Sequence, residues 1–495
     1  MNLAAAIEAH PARAAALVSQ GKVTSYGQLR SQVAEIRGAL IARDVAPDDR
    51  VAVVAANNWY FVAAYLGVLG VGAVAVPLNP LSPPPELERE LGIVGAGLAL
   101  VDDTSRPAFG GVEAEWLGDI DVVAIGDLLG GQPAPLVERS DDDLAVLLFT
   151  SGTAGLPRAA MLTHGNLRTN IDQMRSGTSD VGDTAPGALT AADVALGVIP
   201  LFHIFGLNAV LGLVLTVGGS VVLVERFDPL AALELLVEHK ITVVSGVPTM
   251  WRAWADLPSP GSGDANPMAS VKLGVSGAAR LDPGLRRVIA ARYGLELAEG
   301  YGLTEASPVV TSGVGHDAPD GSIGLPLPGL LVRLIDRFGE DALVGDPGEI
   351  WVKGPNVFAG YWDDPEATRA TLTEDGWLRT GDLAVVDDDG FLRLVDRAKD
   401  VIIVSGFNVV PAEVEGVLAR HPDVAEAAVV SVPHPKTGEA VKAFVVPVAG
   451  ASPDEDVLIE YASRHLARYK CPSIITFVDE LPHGLVGKLL RRRLR

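Results

Sequence analysis

Thr150, Ser151, Gly152, Thr153, Ala154 and Gly155 follow directly on the apolar run Leu144–Phe149. Their types suit one kind of chemistry. Glycines let consecutive backbone N–H groups turn toward one point, and serine and threonine hydroxyls add donors, so such a loop can cradle phosphate. It is not a phosphate loop of the GxxxxGK[ST] kind, which is absent. Taken alone, an ordinary strand-to-helix connection is the simpler reading.

Elements able to hold such a loop surround it. β-Branched runs at Val51–Ala55, Ala73–Pro77, Leu144–Thr150, Val194–Ile199, Ser220–Val224 and Val243–Ser245 alternate with helical stretches. That alternation predicts an α/β body with buried sheets. The texture changes near residue 396. Before it, Gly348–Lys353 and Leu378–Asp387 look antiparallel, with a turn at Asp387–Gly390; after it come helices at Pro411–Arg420 and Asp454–Leu466, and strands at Ala425–Val432 and Ala440–Pro447. The expected division is a large domain over 1–396, a joint at 397–400 and a small α+β domain over 401–495.

Composition narrows the function classes. A net charge of −23 argues against a nucleic-acid or anionic-membrane binder, since neither phosphate surface would be attracted. It does not exclude a small polyanionic substrate, because physiological salt screens distant charges over about 8 Å. The single Cys471 rules out an internal disulfide or a cysteine metal cluster, in keeping with a reducing cytoplasm. The N-terminus lacks the basic and apolar regions of a secretory signal. Phe61–Leu78 and Leu207–Val224 are long enough to be weighed as membrane spans, but glycines at 70, 72, 218 and 219 divide them. Helix, glycine turn and buried strand is the reading taken for both.

Further segments in order change the reading of the loop. PLFHIFG lies at Pro200–Gly206, GYGLTE at Gly300–Glu305, WLRTGD at Trp377–Asp382, DRAKDVIIVSGFNV at Asp396–Val409 and GK at Gly487–Lys488. With TSGTAGLPR at Thr150–Arg158, this ordered set resembles the superfamily of adenylate-forming enzymes, which includes acyl-CoA synthetases, peptide-synthetase adenylation domains and firefly luciferase. The resemblance spans nearly the whole chain. It implies a large domain of layered sheets with a smaller distorted β-barrel part, and a small mobile C-terminal domain.

The resemblance also implies roles. Thr150, Ser151, Gly152, Thr153, Gly155 and Arg158 would hold the phosphates of ATP. Ser276, Gly277, Ala278 and Ala279 would supply backbone contacts around adenine, and Gly300, Tyr301 and Gly302 would offer the ring a flat face. Asp382 would accept from the ribose hydroxyls, with Arg397 reaching the same sugar from beyond the joint. Glu305 would hold Mg²⁺, a cation that prefers carboxylate oxygen, and Thr304 would donate to the α-phosphate. Lys488 would stabilise the charge developing as the acid attacks. Rotation of the small domain about Lys399 would then bring Ser405, Gly406 and Phe407 in for coenzyme A.

Two positions depart from the superfamily's pattern. Arg158-Ala159 stands where Lys-Gly is common, and Val486 where Ser or Thr usually precedes Gly-Lys; both bear on rate more than on reaction class. The gate region has no acid to pair an amino group, and Gly300 stands where dicarboxylate enzymes place Arg. Leu201, Phe202, Ile204, Phe205, Leu207, Val247, Met250 and Trp251 are expected to wall an apolar acid; His203 would guide its carboxylate or gate the tunnel, with a satisfied core histidine as the alternative. The expected substrate is a medium- or long-chain fatty acid, with a 4-coumarate-like aryl acid as runner-up. Loading of a carrier protein, a nucleotide-binding pseudoenzyme and a luciferase-like oxygenase are the alternatives. Pro482 ahead of Gly487-Lys488 resembles the pattern acetylated in bacterial acyl-CoA synthetases, making a lysine acetyltransferase a candidate partner acting on Lys488.

Overall fold

The computed structural model describes residues 1–109, 120–151, 157–176, 188–258, 265–397, 402–404, 407–409, 411–434, 438–466, 470–484 and 489–494. Two large sheets dominate the first part. In one, Asp121–Ala124, Leu98–Val101, Arg50–Val54, Val74–Leu78 and Leu144–Ser151 run parallel, and Pro157–Thr163 closes the edge antiparallel. In the other, Leu297–Gly302, Leu273–Ser276, Val243–Gly246, Val194–Gly197, Ser220–Leu223 and Ala15–Ser19 form a parallel centre, with antiparallel strands at both edges.

The helices Tyr26–Ile41 and Trp59–Gly70 lie between the two sheets in one continuous core. Every residue from Phe61 to Gly70 is buried, which a uniformly apolar helix demands. Gly67 and Gly70 permit the crossing: a Cβ on either would stand 2.5 Å from Ile36 Cγ2 or Arg37 Cδ. The outer faces are covered by Pro84–Val94 on one sheet and by Pro229–Glu238, Pro248–Asp256 and Pro283–Tyr293 on the other.

Both apolar segments fold as helix, glycine turn and strand. Gly72 and Gly218 make the turns at φ of 82° and 84°, where a Cβ would be strained. No helix among the described residues is long and apolar enough to cross a membrane. The phosphate-loop segment corrects one expectation, because residues 152–156 join two antiparallel strands rather than a strand and a helix. Thr150 stands opposite Arg158, and the helix begins only at His164. The reason is tertiary. Met161 N–H donates to Gly360 O and Trp362 N–H to Ala159 O, which holds the Ala-rich run extended against its helix propensity.

A four-stranded antiparallel sheet over Leu331–Ile335, Gly348–Lys353, Leu378–Val386 and Leu392–Arg397 occupies the place expected for the small barrel part. Gly390 closes its last hairpin on Asp387 O. The C-terminal residues form their own mixed sheet and core, with the helices Pro411–Leu418 and Glu455–Ser463 packed on it.

One buried amide ties the second apolar helix to its surroundings. Phe205–Gly212 winds as a π-helix and continues as the α-helix Leu213–Val217. Within it Asn208 donates to Leu167 O at 3.0 Å and to Ser307 O at 2.7 Å. Asn208→Ala leaves Ser307 O without this donor and takes a second bond from Leu167 O, which lies within the helix His164–Ser176, a cost of about 1–3 kcal/mol. All seven tryptophans precede residue 396, so tryptophan fluorescence in urea should show the large domain unfolding at a lower midpoint in this variant. An unchanged midpoint would show that water replaces the amide.

Two buried carboxyls and one buried imidazole make stability depend on pH. Burial, the largest cause, pushes Glu90 and Glu299 up to about 7 and His164 down to about 4. Folding therefore favours protonated Glu299. Its contribution is complete below the ordinary carboxylate range and is lost as pH rises through about 7. His164 has the opposite slope: its contribution is lost as pH falls through about 4. Glu299→Gln keeps an acceptor for Leu281 N–H, which lies 3.3 Å from Oε2, and cannot ionise. Its melting temperature relative to wild type should climb between about pH 5 and 7.5 and then level off. A pH-independent difference would rule out the buried acid as the cause.

Candidate active site

A cavity of about 1770 Å³ opens at the carboxyl ends of the parallel strands in the nine-stranded sheet, the edge at which open α/β sheets bind ligands. Its polar half gathers segments far apart in the chain. Thr150 and Arg158, Ser276–Ala279, Gly300–Glu305 and Thr380–Asp382 all line it. The Tyr301 hydroxyl donates to Asp382 Oδ2 at 2.7 Å, joining two motifs separated by 81 positions. Gly302 is required by contact, since a Cβ there would lie 2.1 Å from Pro308 O.

The Ser276–Ala279 turn leaves the sheet with Gly277 N–H on Gly246 O and with Ala278 at a φ of 65°. Leu281 N–H, just beyond, is held by Glu299. Ser276 is buried, and its hydroxyl has no partner among the described residues.

Glu305 sits on a single turn, Thr304–Ala306, and its carboxylate accepts the Tyr361 hydroxyl at 2.7 Å. Arg158 Nε donates to Asp364 Oδ2 at 3.0 Å, and its guanidinium lies 5.7 Å above the Tyr361 ring. The Arg at this position thus combines an ion pair with a stacked face, which an ammonium would not do in the same way. Burial and then the adjacent Glu305 carboxylate push the Tyr361 phenol well above its ordinary range, so it is a donor. Tyr361 and Asp364 were not singled out in the sequence. Their only signal is the helix cap at Asp364-Pro365, which says nothing about the cavity.

The apolar half runs between the sheet and the helices Phe205–Gly212 and Leu213–Val217. Ala195, Val243 and Ser245, Leu273 and Val275 alternate along their strands and share its face. Ile204, Phe205, Ala209, Val210, Leu213 and Val214 form the facing wall. Phe205 lies against Gly277, where a Cβ would stand 3.2 Å from the ring, so this side chain separates the two halves. His203 lines the cavity at the junction, and its Nδ1 accepts from Phe205 N–H at 3.3 Å.

The expected acyl wall is corrected in part. Ile204, Phe205 and His203 line the cavity, whereas Leu201, Phe202, Leu207, Val247, Met250 and Trp251 do not. Val247, Met250 and Trp251 pack in the core on the opposite face of the sheet, because strand alternation and the turn into Pro248–Asp256 direct them there.

Arg397 is the last residue of the strand Leu392–Arg397 and pairs in register with Asp382, so its backbone belongs to the large part's sheet rather than lying beyond the joint. Phe407 opens the strand Phe407–Val409. Gly152, Thr153, Gly155, Lys399, Ser405, Gly406 and Lys488, with the side chains of Ser151, Arg397 and Phe407, lie outside the described residues. The described neighbours of Lys488 do reach the cavity: His483 and Gly484 precede it, Leu489, Leu490 and Arg491 follow it, and all five are in the wall. Arg491 is held there by Glu415, at 2.7 and 2.9 Å.

Comparison with known proteins agrees with this geometry. Residues 3–362 match the family model of the AMP-binding enzymes, and residues 413–488 that of the AMP-binding enzyme C-terminal domain. A long-chain-fatty-acid–CoA ligase of Yersinia pestis is 35% identical, covering 97% of this chain and 91% of its own. A feruloyl-CoA synthase of an Amycolatopsis species is 38% identical, covering 96% and 94%. Among solved structures, ATP-bound MatB of Rhodopseudomonas palustris superposes with a TM-score of 0.91 at 31% identity, over 100% of this chain and 98% of that one. The apo form of the same enzyme, with the same coverage, gives 0.79. The chain belongs to the AMP-binding enzyme family and has the fold of the adenylate-forming enzymes, its curated relatives being acyl-CoA ligases.

Proposed function

We propose that this protein is an AMP-forming acid–CoA ligase acting on medium- or long-chain fatty acids. The observation that carries the reading is the two-part cavity, in which a polar chamber built from the nucleotide motifs continues into an apolar tunnel. From Gly277 back to Leu273 the tunnel follows four strand residues, about 13 Å. Extended carbon chains with bonds of about 1.5 Å advance about 1.3 Å per carbon, so some ten carbons fit along that wall. The resemblance to ATP-bound MatB over its apo form supports an arrangement of the two parts suited to adenylation.

In the first half-reaction a carboxylate oxygen of the acid attacks the α-phosphorus of ATP and pyrophosphate leaves. In the second, the sulfur of coenzyme A attacks the acyl carbonyl, the thiol proton is lost and AMP leaves. In this reading Tyr301 packs on adenine, and Asp382, already fixed by the Tyr301 hydroxyl, accepts from the ribose. Arg158 and the loop at 152–155 hold the β- and γ-phosphates, and Thr304 donates to the α-phosphate. Phe205 and His203 place the carboxylate at the chamber's threshold. Lys488 stabilises the added negative charge during attack.

The residues present fit a magnesium ion. Glu305 offers one carboxylate beside Thr304, and no group of three or more potential ligands occurs among the described residues. That suits an ion shared between one protein carboxylate, phosphates and waters. When bound, it would neutralise phosphate charge.

An aryl acid is the second reading, favoured by the 38% identity to the feruloyl-CoA synthase and by Ser245 and Ser312 in the cavity wall.

Pyrophosphate release from Mg-ATP, coenzyme A and a panel of fatty, aryl and dicarboxylic acids tests the reading directly. Fatty acids should give acyl-CoA and AMP, and Lys488→Ala should lower turnover by at least about 100-fold. ATP binding with no pyrophosphate release from any acid would favour a nucleotide-binding role without catalysis. Ala209→Trp, which inserts an indole into the tunnel wall, should cut kcat/KM for a twelve-carbon acid by about 10- to 100-fold and spare a six-carbon acid. Equal loss for both, or loss confined to aryl acids, would place the fatty chain elsewhere.

A further inference from the structure

Glu305 stands on a one-turn helix at the cavity's edge, and one short segment holds that turn in place. Phe358 N–H donates to Glu305 O at 2.9 Å. Asn356 Nδ2 donates to Ala306 O at 2.7 Å, and Ser307 Oγ donates back to Asn356 O at 2.8 Å. Of the contacts this segment makes to the turn, the Tyr361 hydroxyl is the one that reaches the carboxylate itself, at 2.7 Å from Oε1.

The same segment is rigidly placed. Tyr361 is 8% exposed, and its ring packs edge-on against Phe358 at 4.9 Å. Its backbone N–H donates to Thr368 Oγ1, and its neighbours pair with the strand Pro157–Thr163 that carries Arg158. A stiff donor on a stiff segment therefore meets a carboxylate on a short, half-buried turn. Free, that carboxylate would sample several rotamers, each lost on binding a ligand.

We propose that Tyr361 is a positioning residue that fixes one oxygen of Glu305 so that the other faces the phosphate chamber for a divalent cation carried by ATP. The inference rests on the reading of Glu305 as the metal carboxylate. It extends that reading to a residue outside the nucleotide motifs, acting as hydrogen-bonded partners of metal carboxylates do.

The test is retention of Mn²⁺ on the ATP-bound full-length protein, followed by the EPR signal of free Mn²⁺. Tyr361→Phe removes the hydroxyl and keeps the ring. It should weaken Mn²⁺ retention roughly tenfold while ATP binding in EDTA stays at the wild-type level. Phe358→Leu loosens the same packing without touching the hydroxyl and should leave Mn²⁺ retention unchanged. In a Glu305→Gln background, Tyr361→Phe should have no further effect.

A wild-type Mn²⁺ titration in Tyr361→Phe overturns the proposal. An equal shift in Phe358→Leu overturns it too, since packing would then explain the effect, as does an undiminished effect without Glu305. If wild-type ATP binding shows no dependence on Mn²⁺, the metal reading of Glu305 fails and the inference falls with it. A metal-dependent wild type with an unaffected Tyr361→Phe removes only the inference.

Discussion

Burial of the helix Trp59–Gly70 between two parallel sheets is the constraint on which the other features depend. A helix apolar on every side must be covered on every side, and here sheets and helices do so from Phe61 to Gly70. Parallel strands covered on both faces leave only their ends for chemistry. The residues of the nucleotide motifs accordingly sit where strands end: Thr150 near the end of Leu144–Ser151, Ser276 at the end of Leu273–Ser276, and Gly302 at the end of Leu297–Gly302. Loops leaving one edge converge because the strands beneath them are held in register.

The same layering makes the apolar half of the cavity. Where the second apolar helix meets the inner face of the nine-stranded sheet, small and branched side chains such as Ala195, Ala209 and Val243 leave space. The π-winding of Phe205–Gly212 widens the helix at that point, a geometry often found at functional sites. Within the same turn Asn208 bonds the carbonyls of Leu167 and Ser307, tying the widened helix to two neighbouring segments. Helix winding, the buried amide and cavity volume are thus one arrangement, and Ser307 O links it to the turn that carries Glu305.

Charge is handled locally. The chain carries −23 overall, yet the cavity wall holds Arg158 with its charge shared by Asp364, and Arg491 with its charge shared by Glu415. Paired guanidiniums keep their shape and orientation without a strong bare field. Glu299, whose carboxyl is pushed up to about 7 by burial, accepts from Leu281 N–H just beyond the Ser276–Ala279 turn.

Much of this was legible in the residues. β-Branched runs, glycine turns at 72 and 218 and the change of texture near 396 follow from local propensity and steric freedom, which a sequence carries directly. The ordered motifs marked Tyr301, Thr304, Glu305 and Asp382 through their resemblance to the adenylate-forming enzymes, and all four line one cavity. The strand at Pro157–Thr163 was not legible, since its extended form rests on pairing with Leu144–Ser151 on one side and with residues 359–362, more than 190 positions away, on the other. Nor were Tyr361 and Asp364, whose partners Glu305 and Arg158 lie 56 and 206 positions off. Which apolar residues wall the tunnel was likewise decided by tertiary packing. Composition says that Val247 and Trp251 are buried, but only the path of the chain across the sheet determines on which face. The sequence by itself determined the fold class and the order of the motifs. The tertiary structure decided their mutual distances, the tunnel wall and the segment that braces Glu305, because those depend on contacts between residues with no local relation in the chain.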